Sequence, residues 1–573
     1  MPRSIAHQTN LEALRKEAKR LRKAVAAGEP DAITRFRLAF PKNDPTVGLR
    51  QAQHTIAREY GFASWAALKQ EIEDRNRSHE ERVRLFLEKS VHRYGTDPNT
   101  GKWGDYEPDG PARGALAARL LARHPEIGRQ DIHTAVAAHD LDAVHTFLTK
   151  DPRLANDQHP FDGWTPLLRL AYARLPIEAV ERNAIAIATL LLDAGADPNA
   201  GCFDHTGGFT ALTGVIGEGE AGQSPHPLAE SLARLLVARG ADPLDGQALY
   251  NTSLGGDVTV WLDFMWAETA KRGQTVRWSE PNPNLTGRPL DYLLGNAVAN
   301  LHVTRTAWLL AHGADANTVN AYTKLPVITH AAIAGRQDIV DLLIDHGAPA
   351  PRLSDEEAFV AAAAQGDLAG VRERTTTHPG LLRQPHAMIA AIHRRQLEVV
   401  NLLLDLGMSP DIGDAQNYRA LHHAADCGAV EIAKLLIDQG AEIDPFETRY
   451  GGSPLSHANY HRRSEVVALL TPISRNFRAL CFAGAIDRVR ALLKEDPNSA
   501  NREDRPGEPA LFCLPDDEER ALEMAELLLS FGANPRARNP LGQTPADAAR
   551  KRGLDDAADL LAEADESHQT TSS

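Results

Sequence analysis

Cysteine is scarce in this sequence, which has only four in 573 residues, all far apart along the chain. No C-x-x-C pair occurs, so the spacing indicates neither a disulfide framework nor a cysteine-ligated zinc site. Scattered cysteines are typical of the reducing cytoplasm. The first ten residues are polar, and no apolar run approaches the roughly 18 residues that a membrane helix needs. We therefore expect a cytoplasmic protein without a membrane segment.

Aromatic and basic residues are also in short supply. Aromatics make up 6% of the chain against 43% hydrophobic residues, which favours helices packed through Ala and Leu over a β-sandwich. The 62 Lys and Arg are outnumbered by 77 Asp and Glu, giving a net charge of −15. Because affinity for phosphate comes from basic surface, nucleic acid is not expected as a general partner.

What the sequence does contain is a recurring phrase: an apolar helix end, then Gly, a small residue and turn formers. Leucines at helical spacing predict one buried face, and the Gly predicts a left-handed helix end. Where the units are clean the period is tight, with 34 residues from Gly313 to Gly347 and 33 from Gly407 to Gly440. The phrase occurs at 190–199, 235–243, 309–317, 342–350, 402–411, 435–444 and 527–536.

A second phrase opens the units, as in TPLLRLA at 165–171, RALHHAA at 419–425, SPLSHAN at 453–459 and TPADAAR at 544–550. Thr or Ser can cap the following helix, and Pro fits its first turn.

Together the two phrases resemble the ankyrin repeat, whose signature is T-P-L-H-x-A followed by a G-A-D-x-N end. The resemblance covers about 131–564 and is closest from Ala420 to Ala441. It implies an all-α solenoid of roughly twelve or thirteen helix pairs. The whole chain also resembles a group of bacterial ankyrin-repeat proteins that share an N-terminal segment.

The ends of the chain differ from the repeats, and four regions follow from composition. Residues 1–79 are predicted to form a small helical domain, and 80–130 connecting helices with a Gly/Pro-rich loop. The solenoid spans 131–564, and 565–573 are predicted to be a disordered tail. Insertions at 217–227 and 272–288 leave open whether the array is continuous across 272–288.

Repeat register predicts the residues that face a concave groove. The position after the His of the opening phrase is occupied by Arg169, Gly214, Tyr292, His330, Ala390, His423 and His457. A stripe of three histidines can be a polar groove face or a recognition surface. The finger loops add the contact candidates Trp164, Tyr322, Tyr418 and Tyr450.

His457 and His461 lie at i and i+4, a spacing that can hold zinc when a third ligand is close. His423 in the preceding unit is a poor third ligand, because adjacent helices lie about 8–10 Å apart. The sequence GEGEAG at 217–222 lacks the preceding strand of a dinucleotide site. We predict no metal and no cofactor.

The irregular central repeats concentrate aromatic residues, among them Tyr250, Trp261 and Trp278. Such a cluster can be core packing, or it can line a pocket for a peptide or small molecule.

Three functional hypotheses follow. The favoured one is a non-catalytic scaffold that binds a protein partner through groove and fingers. The second is an enzyme or small-molecule binder with its pocket in the central repeats, although no nucleophile–base pair supports it. The third is a regulator whose basic N-terminal helix binds an acidic partner or nucleic acid. That helix could also dock on the protein's own acidic surface.

Overall fold

The computed structural model of the protein describes residue 3 and residues 10–40, 48–94, 109–202, 208–219, 222–503 and 508–570. The chain forms two compact units. One, which we call the split unit, comprises residues 1–76 and 354–573, and the other, the central unit, comprises residues 77–353. The division therefore falls between Leu353 and Ser354, not at the 272–288 insertion.

The N-terminal part of the split unit holds four helices: α1 (Leu11–Ala26), α2 (Pro30–Ala39), α3 (Leu49–Glu59) and α4 (Trp65–Asn76). Leu14, Ala18, Leu21 and Val25 form the buried stripe of α1 that the sequence predicts.

The central unit begins with a helical hairpin and continues as six inner–outer helix pairs within its described residues, from α7 to α18. Its helices are α5 (His79–Lys89), α6 (Pro111–Arg123), α7 (Ile132–Ala137), α8 (Leu141–Lys150), α9 (Pro166–Ala171), α10 (Glu178–Asp193), α11 (Ala211–Ile216), α12 (Ala229–Ala238), α13 (Gly246–Leu254), α14 (Val260–Lys271), α15 (Pro289–Ala299), α16 (Val303–Ala311), α17 (Val327–Ile333) and α18 (Gln337–Asp345). Short 3₁₀ helices lie at Pro125–Arg129, Pro152–Asn156 and Thr275–Ser279. Strands β1 (Gly201–Cys202) and β2 (Phe209–Thr210) pair antiparallel.

The C-terminal part of the split unit carries the remaining repeats. Its helices are α19 (Asp355–Gln365), α20 (Leu368–Thr377), α21 (His386–His393), α22 (Leu397–Asp405), α23 (Ala420–Cys427), α24 (Val430–Asp438), α25 (Pro454–Tyr460), α26 (Ser464–Leu470), α27 (Phe477–Phe482), α28 (Ile486–Glu495), α29 (Glu518–Ser530), α30 (Pro545–Lys551) and α31 (Asp555–Thr570). Its 3₁₀ helices are Pro379–Arg383, Pro497–Asn501 and Ala510–Phe512.

The two sequence phrases produce the local structures predicted from them. Thr165, Ser453 and Thr544 each accept a hydrogen bond from a backbone N–H in the first turn of the helix they precede. At the end of α24, Gly440 has φ 87°, and the backbone N–H of Ala441 donates to Leu436 O at 2.9 Å. This bond satisfies a carbonyl that the helix end would otherwise leave unpaired. The all-α repeat architecture is confirmed.

Stacking is continuous across the 272–288 insertion. Inner helix α13 packs against α15, and α15 against α17. Within the insertion, Trp278 is fully buried and its indole N–H donates to Thr269 Oγ1 at 2.9 Å. The insertion is therefore part of the packed unit and does not open a cleft between two arrays.

The N-terminal helices pack with the last repeats in the split unit. Leu14, Ile56 and Leu68 share one apolar core with Leu528 and Leu561 of the last repeats. Helix α3 packs directly on α29. A solenoid exposes an apolar face at each end of its stack, so we attribute this packing to the need to cover the last repeats.

Charge pairs reinforce this packing, as one of the alternatives for the basic helix predicts. The Arg15 guanidinium lies 3.1 Å from Asp556 Oδ1, and Lys69 contacts Glu518. Lys19 and Lys23 lie 3.5 and 3.6 Å from the Glu563 carboxylate. The basic face of α1 is thus directed at the protein's own acidic C-terminal helix.

Two further predictions concern the ends of the described segments. Helix α31 continues to Thr570, so residues 565–570 are helical where a disordered tail is predicted. Most of the Gly/Pro-rich loop around residues 94–112 lies outside the described residues, as does 571–573. Among the described helices, none is both long and apolar enough to cross a membrane.

Candidate functional site

A cluster of polar side chains lies where two inner helices of the split unit meet. Asp426 stands in the last turn of α23, and His457 lies in the facing helix α25. His457 Nδ1 lies 3.0 Å from Asp426 Oδ1, and the Tyr418 hydroxyl donates to the other carboxylate oxygen, Asp426 Oδ2. Burial would raise the pKa of Asp426, but the hydrogen bonds with His457 and Tyr418 outweigh it, so this pKa lies below its ordinary value.

The second ring nitrogen of His457 also lies within hydrogen-bonding distance of a carboxylate. His457 Nε2 lies 3.3 Å from Glu447 Oε1. Glu447 is fully buried, and its carboxylate accepts backbone N–H bonds from Arg449, Tyr450 and Gly452. Burial lowers the pKa of His457, but the two carboxylates outweigh this effect and the pKa is raised overall.

His461 completes the cluster on its exposed side. It caps the end of α25, its side chain is 40% exposed, and its Nε2 lies 3.5 Å from Asp426 Oδ1. One ligand atom each from Asp426, His457 and His461 can be chosen so that all three lie within 4.8 Å of one another. Among the described residues, these are the group that could hold a metal ion.

The other two histidines of this region have different environments. His422, the His of the repeat signature, accepts a hydrogen bond from the backbone N–H of Arg419 at its Nδ1, 3.1 Å away. This bond fixes the start of α23, the structural role expected from the resemblance. His423 Nδ1 lies 3.2 Å from His393 Nε2, and burial lowers the pKa of His423 to about 4. His423 faces another histidine and is not part of the cluster.

Repeat register singled out His457, and the i, i+4 spacing singled out His461, but neither pattern points to the two carboxylates. The nearest signal for Asp426 is its place one turn after His422 on the same helix. Nothing in the repeat signature marks Glu447, which lies in the loop before α25. Its role depends on the tertiary placement of that loop.

Two finger loops present tyrosines to solvent. Tyr322 is 65% exposed and Tyr450 is 66% exposed. In the first loop the side-chain oxygen of buried Asn320 accepts the backbone N–H groups of Tyr322 and Thr323, both at 2.9 Å. In the second, Glu447 has the same function. Each finger therefore has its backbone fixed from inside.

Other contact residues predicted from the sequence are buried or half-buried in the structure. Trp164 is 1% exposed and Arg169 is fully buried, with its guanidinium 2.9 Å from Asp162 Oδ1. Tyr418 and Tyr292 are 8% and 7% exposed. The Tyr292 hydroxyl forms a 2.7 Å hydrogen bond with the Tyr322 hydroxyl. His330 is half-buried in the central unit.

The central aromatic residues are mostly core. Trp278 packs beside Trp266 and Trp308, with ring centroids 5.5 and 6.1 Å away. Tyr250 and Trp261 are partly buried and pack against the same apolar core. Trp278 is therefore a core residue and does not line a pocket.

A family model for ankyrin repeats in three copies matches residues 387–479, the segment that contains the cluster. The chain is an ankyrin-repeat protein. This confirms the resemblance drawn from the two sequence phrases.

Curated relatives of this ankyrin-repeat protein match it over short segments. Serine/threonine-protein kinase 12 of Arabidopsis thaliana is 32% identical over 74 residues, which are 13% of this chain and 16% of the relative. Ankyrin repeat protein nuc-2 of Neurospora crassa is 29% identical over 157 residues, which are 26% of this chain and 14% of the relative. The chain thus spans less than a fifth of either relative.

One solved structure matches the chain with a structural similarity too low to support an argument. A chain of the complex between a predatory endopeptidase of Bdellovibrio bacteriovorus and an immunity protein is 21% identical. The match covers 36% of this ankyrin-repeat protein and 97% of that chain, with a TM-score of 0.25. A score this low supports no argument.

Proposed function

We propose that the protein is a non-catalytic scaffold in the cytoplasm that binds a protein partner through its finger loops and the adjoining groove. Ankyrin repeats point to protein partners in general. Fold-level analogy does not identify the surface that binds, so the choice of surface has to rest on the residues themselves.

The observation that carries the proposal is the pairing of exposed tyrosines with rigid finger backbones. Tyr supplies a large contact area at low entropic cost and is enriched among residues that dominate binding energy. Because Asn320 and Glu447 fix the backbones of the two loops, little further ordering is needed on binding. Phe446, in the same loop as Tyr450, and Tyr460, the last residue of α25, are 44% and 81% exposed and add apolar surface for contact.

The other two hypotheses have less support. A catalytic pocket in the central repeats could not be lined by Trp278, because this side chain is fully buried in the core. An acidic partner or nucleic acid at α1 would compete with Asp556 and Glu563, which already contact the basic side chains. Both would require rearrangement of packed structure, whereas the fingers are accessible as they stand.

The test is affinity capture from cells that carry the gene, using full-length wild type, Tyr322→Ala, Tyr450→Ala and the double variant. Proteins bound by wild type are identified by mass spectrometry, and the affinity of each is measured with purified components. We expect at least one finger variant to weaken binding by about 2 kcal/mol, or roughly 30-fold.

The matched control is Leu38→Ala, which removes an 82% exposed apolar side chain from α2, outside the fingers. It should bind like wild type. A partner that binds both finger variants with unchanged affinity would refute the proposed surface. Loss of binding in Leu38→Ala alone would move the site to the N-terminal helices.

A further inference from the structure

We propose that Asp426, His457 and His461 form a binding site for a divalent transition metal, with Zn²⁺ as the best match. The inference does not depend on the scaffold function, and it revises the prediction of no metal, which had only His423 to offer as a third ligand.

The ligand set of the cluster suits zinc. Two imidazoles and one carboxylate are a common zinc environment, and three protein ligands leave a fourth position for water. The two histidines are at i and i+4 on the last turns of α25, so both project from the same face of the helix. The carboxylate comes from the neighbouring repeat, which places the site across a packed junction rather than on one mobile side chain.

The distances between the ligand atoms are also close to those of a zinc site. Zinc bonds of about 2.0–2.2 Å place the ligand atoms of a tetrahedral site about 3.3–3.6 Å apart. The Asp426 oxygen lies 3.0 Å from His457 Nδ1 and 3.5 Å from His461 Nε2. Small side-chain rotations would bring these atoms to zinc geometry, because the His461 side chain is 40% exposed.

Neighbouring residues hold two of the ligands, His457 and Asp426, in orientation. A metal-binding histidine usually donates its other ring N–H to a carboxylate, which fixes the tautomer. Glu447 lies 3.3 Å from His457 Nε2 and is itself held by three backbone N–H groups. A proton on Nε2 leaves the lone pair of Nδ1 directed at Asp426 and His461. Tyr418 holds the second oxygen of Asp426 in the same way.

Charge also favours a cation at this site. With neutral imidazoles, Asp426 and Glu447 bring a charge of −2, and the Glu447 side chain is fully buried. A divalent cation would compensate this negative charge, since unpaired charge is costly away from solvent.

The test is titration of untagged, chelator-treated full-length protein with Zn²⁺ by calorimetry, and with Co²⁺ by visible absorption, which reports coordination geometry. The variants are His461→Ala and Asp426→Asn, because the Asn keeps an oxygen for Tyr418. We expect wild type to bind one zinc ion that both variants lose, with affinity reduced about 100-fold or more. Glu447→Gln, which still accepts backbone N–H bonds, should weaken binding about 10–100-fold.

The matched control is His386→Ala. His386 is an exposed histidine beside the carboxylate of Glu356, 2.8 Å away, but it has no second imidazole in that contact. It should bind zinc like wild type. Circular dichroism without metal shows whether each variant folds, and Zn²⁺ should raise the unfolding temperature of wild type and His386→Ala but not of His461→Ala or Asp426→Asn. Equal zinc stoichiometry and affinity in wild type, His461→Ala and Asp426→Asn would overturn the proposal. So would failure of wild type to bind zinc, which would leave His457 as a proton-bearing bridge between two carboxylates.

Discussion

At the scale of single residues, burial separates positions that share a register. Arg169 and His423 occupy the same place in their repeats, yet the first is fully buried and the second half-buried. Sequence register gives the direction of a side chain, but its depth depends on neighbours from other repeats. This is also why Asp426, which approaches His457 from 31 residues away, could not be predicted.

The buried charges around Asp162 give a prediction at this scale. Its carboxylate lies 2.6 Å from the Arg93 guanidinium and 2.9 Å from that of Arg169, and all three side chains are at most 1% exposed. Asp162→Ala leaves two guanidinium groups buried without their shared anion. We expect the free energy of unfolding of the central unit to fall by about 3–5 kcal/mol.

Urea unfolding followed by tryptophan fluorescence measures this loss, because Trp65 is the one tryptophan of the sequence outside the central unit. The control is Glu230→Ala, which removes an exposed pair with Arg234 and should cost no more than about 1 kcal/mol. Similar losses in both variants would show that the buried network is not a major source of stability.

At the scale of secondary-structure elements, local sequence signals were sufficient to predict the helices of the repeats. Helix caps such as Thr165 and helix-ending glycines such as Gly440 act within a few residues, so the local sequence is enough to predict them. The docking of α1 on α31 depends on a contact between Arg15 and Asp556, 541 residues apart. Net charge suggested such a dock as one alternative, but no local pattern could select it.

Charge reversal tests that dock. Arg15→Glu places a carboxylate against Asp555, Asp556 and Asp559, where the guanidinium now lies. We expect a loss of roughly 2–4 kcal/mol in the packing of α1, less than for a fully buried pair because Arg15 is 18% exposed. Hydrogen exchange should accelerate in residues 11–26. Arg20→Glu, at an exposed position of the same helix, should leave exchange unchanged. Equal protection in both variants would mean that apolar packing alone holds the helix.

At the scale of the whole molecule, repeat periodicity predicted the architecture, but the packing of two irregular segments could not be predicted from local sequence. The segment 272–288 interrupts the repeat phrase, yet Trp278 makes it part of the core. Residues 1–76 have no repeat phrase, yet they pack with the last repeats. Both packing arrangements have one cause. Apolar surface can be covered by residues distant in sequence, and such pairings leave no mark in a local window.

Hydrogen exchange of the full-length protein, with and without its captured partner, tests directly whether the partner binds at the fingers. The scaffold account predicts slower exchange on binding in residues 318–326, in residues 444–453, or in both. The rest of the described chain should change little. Protection confined to α1, or to outer helices such as α24, with both fingers unchanged, would contradict the account.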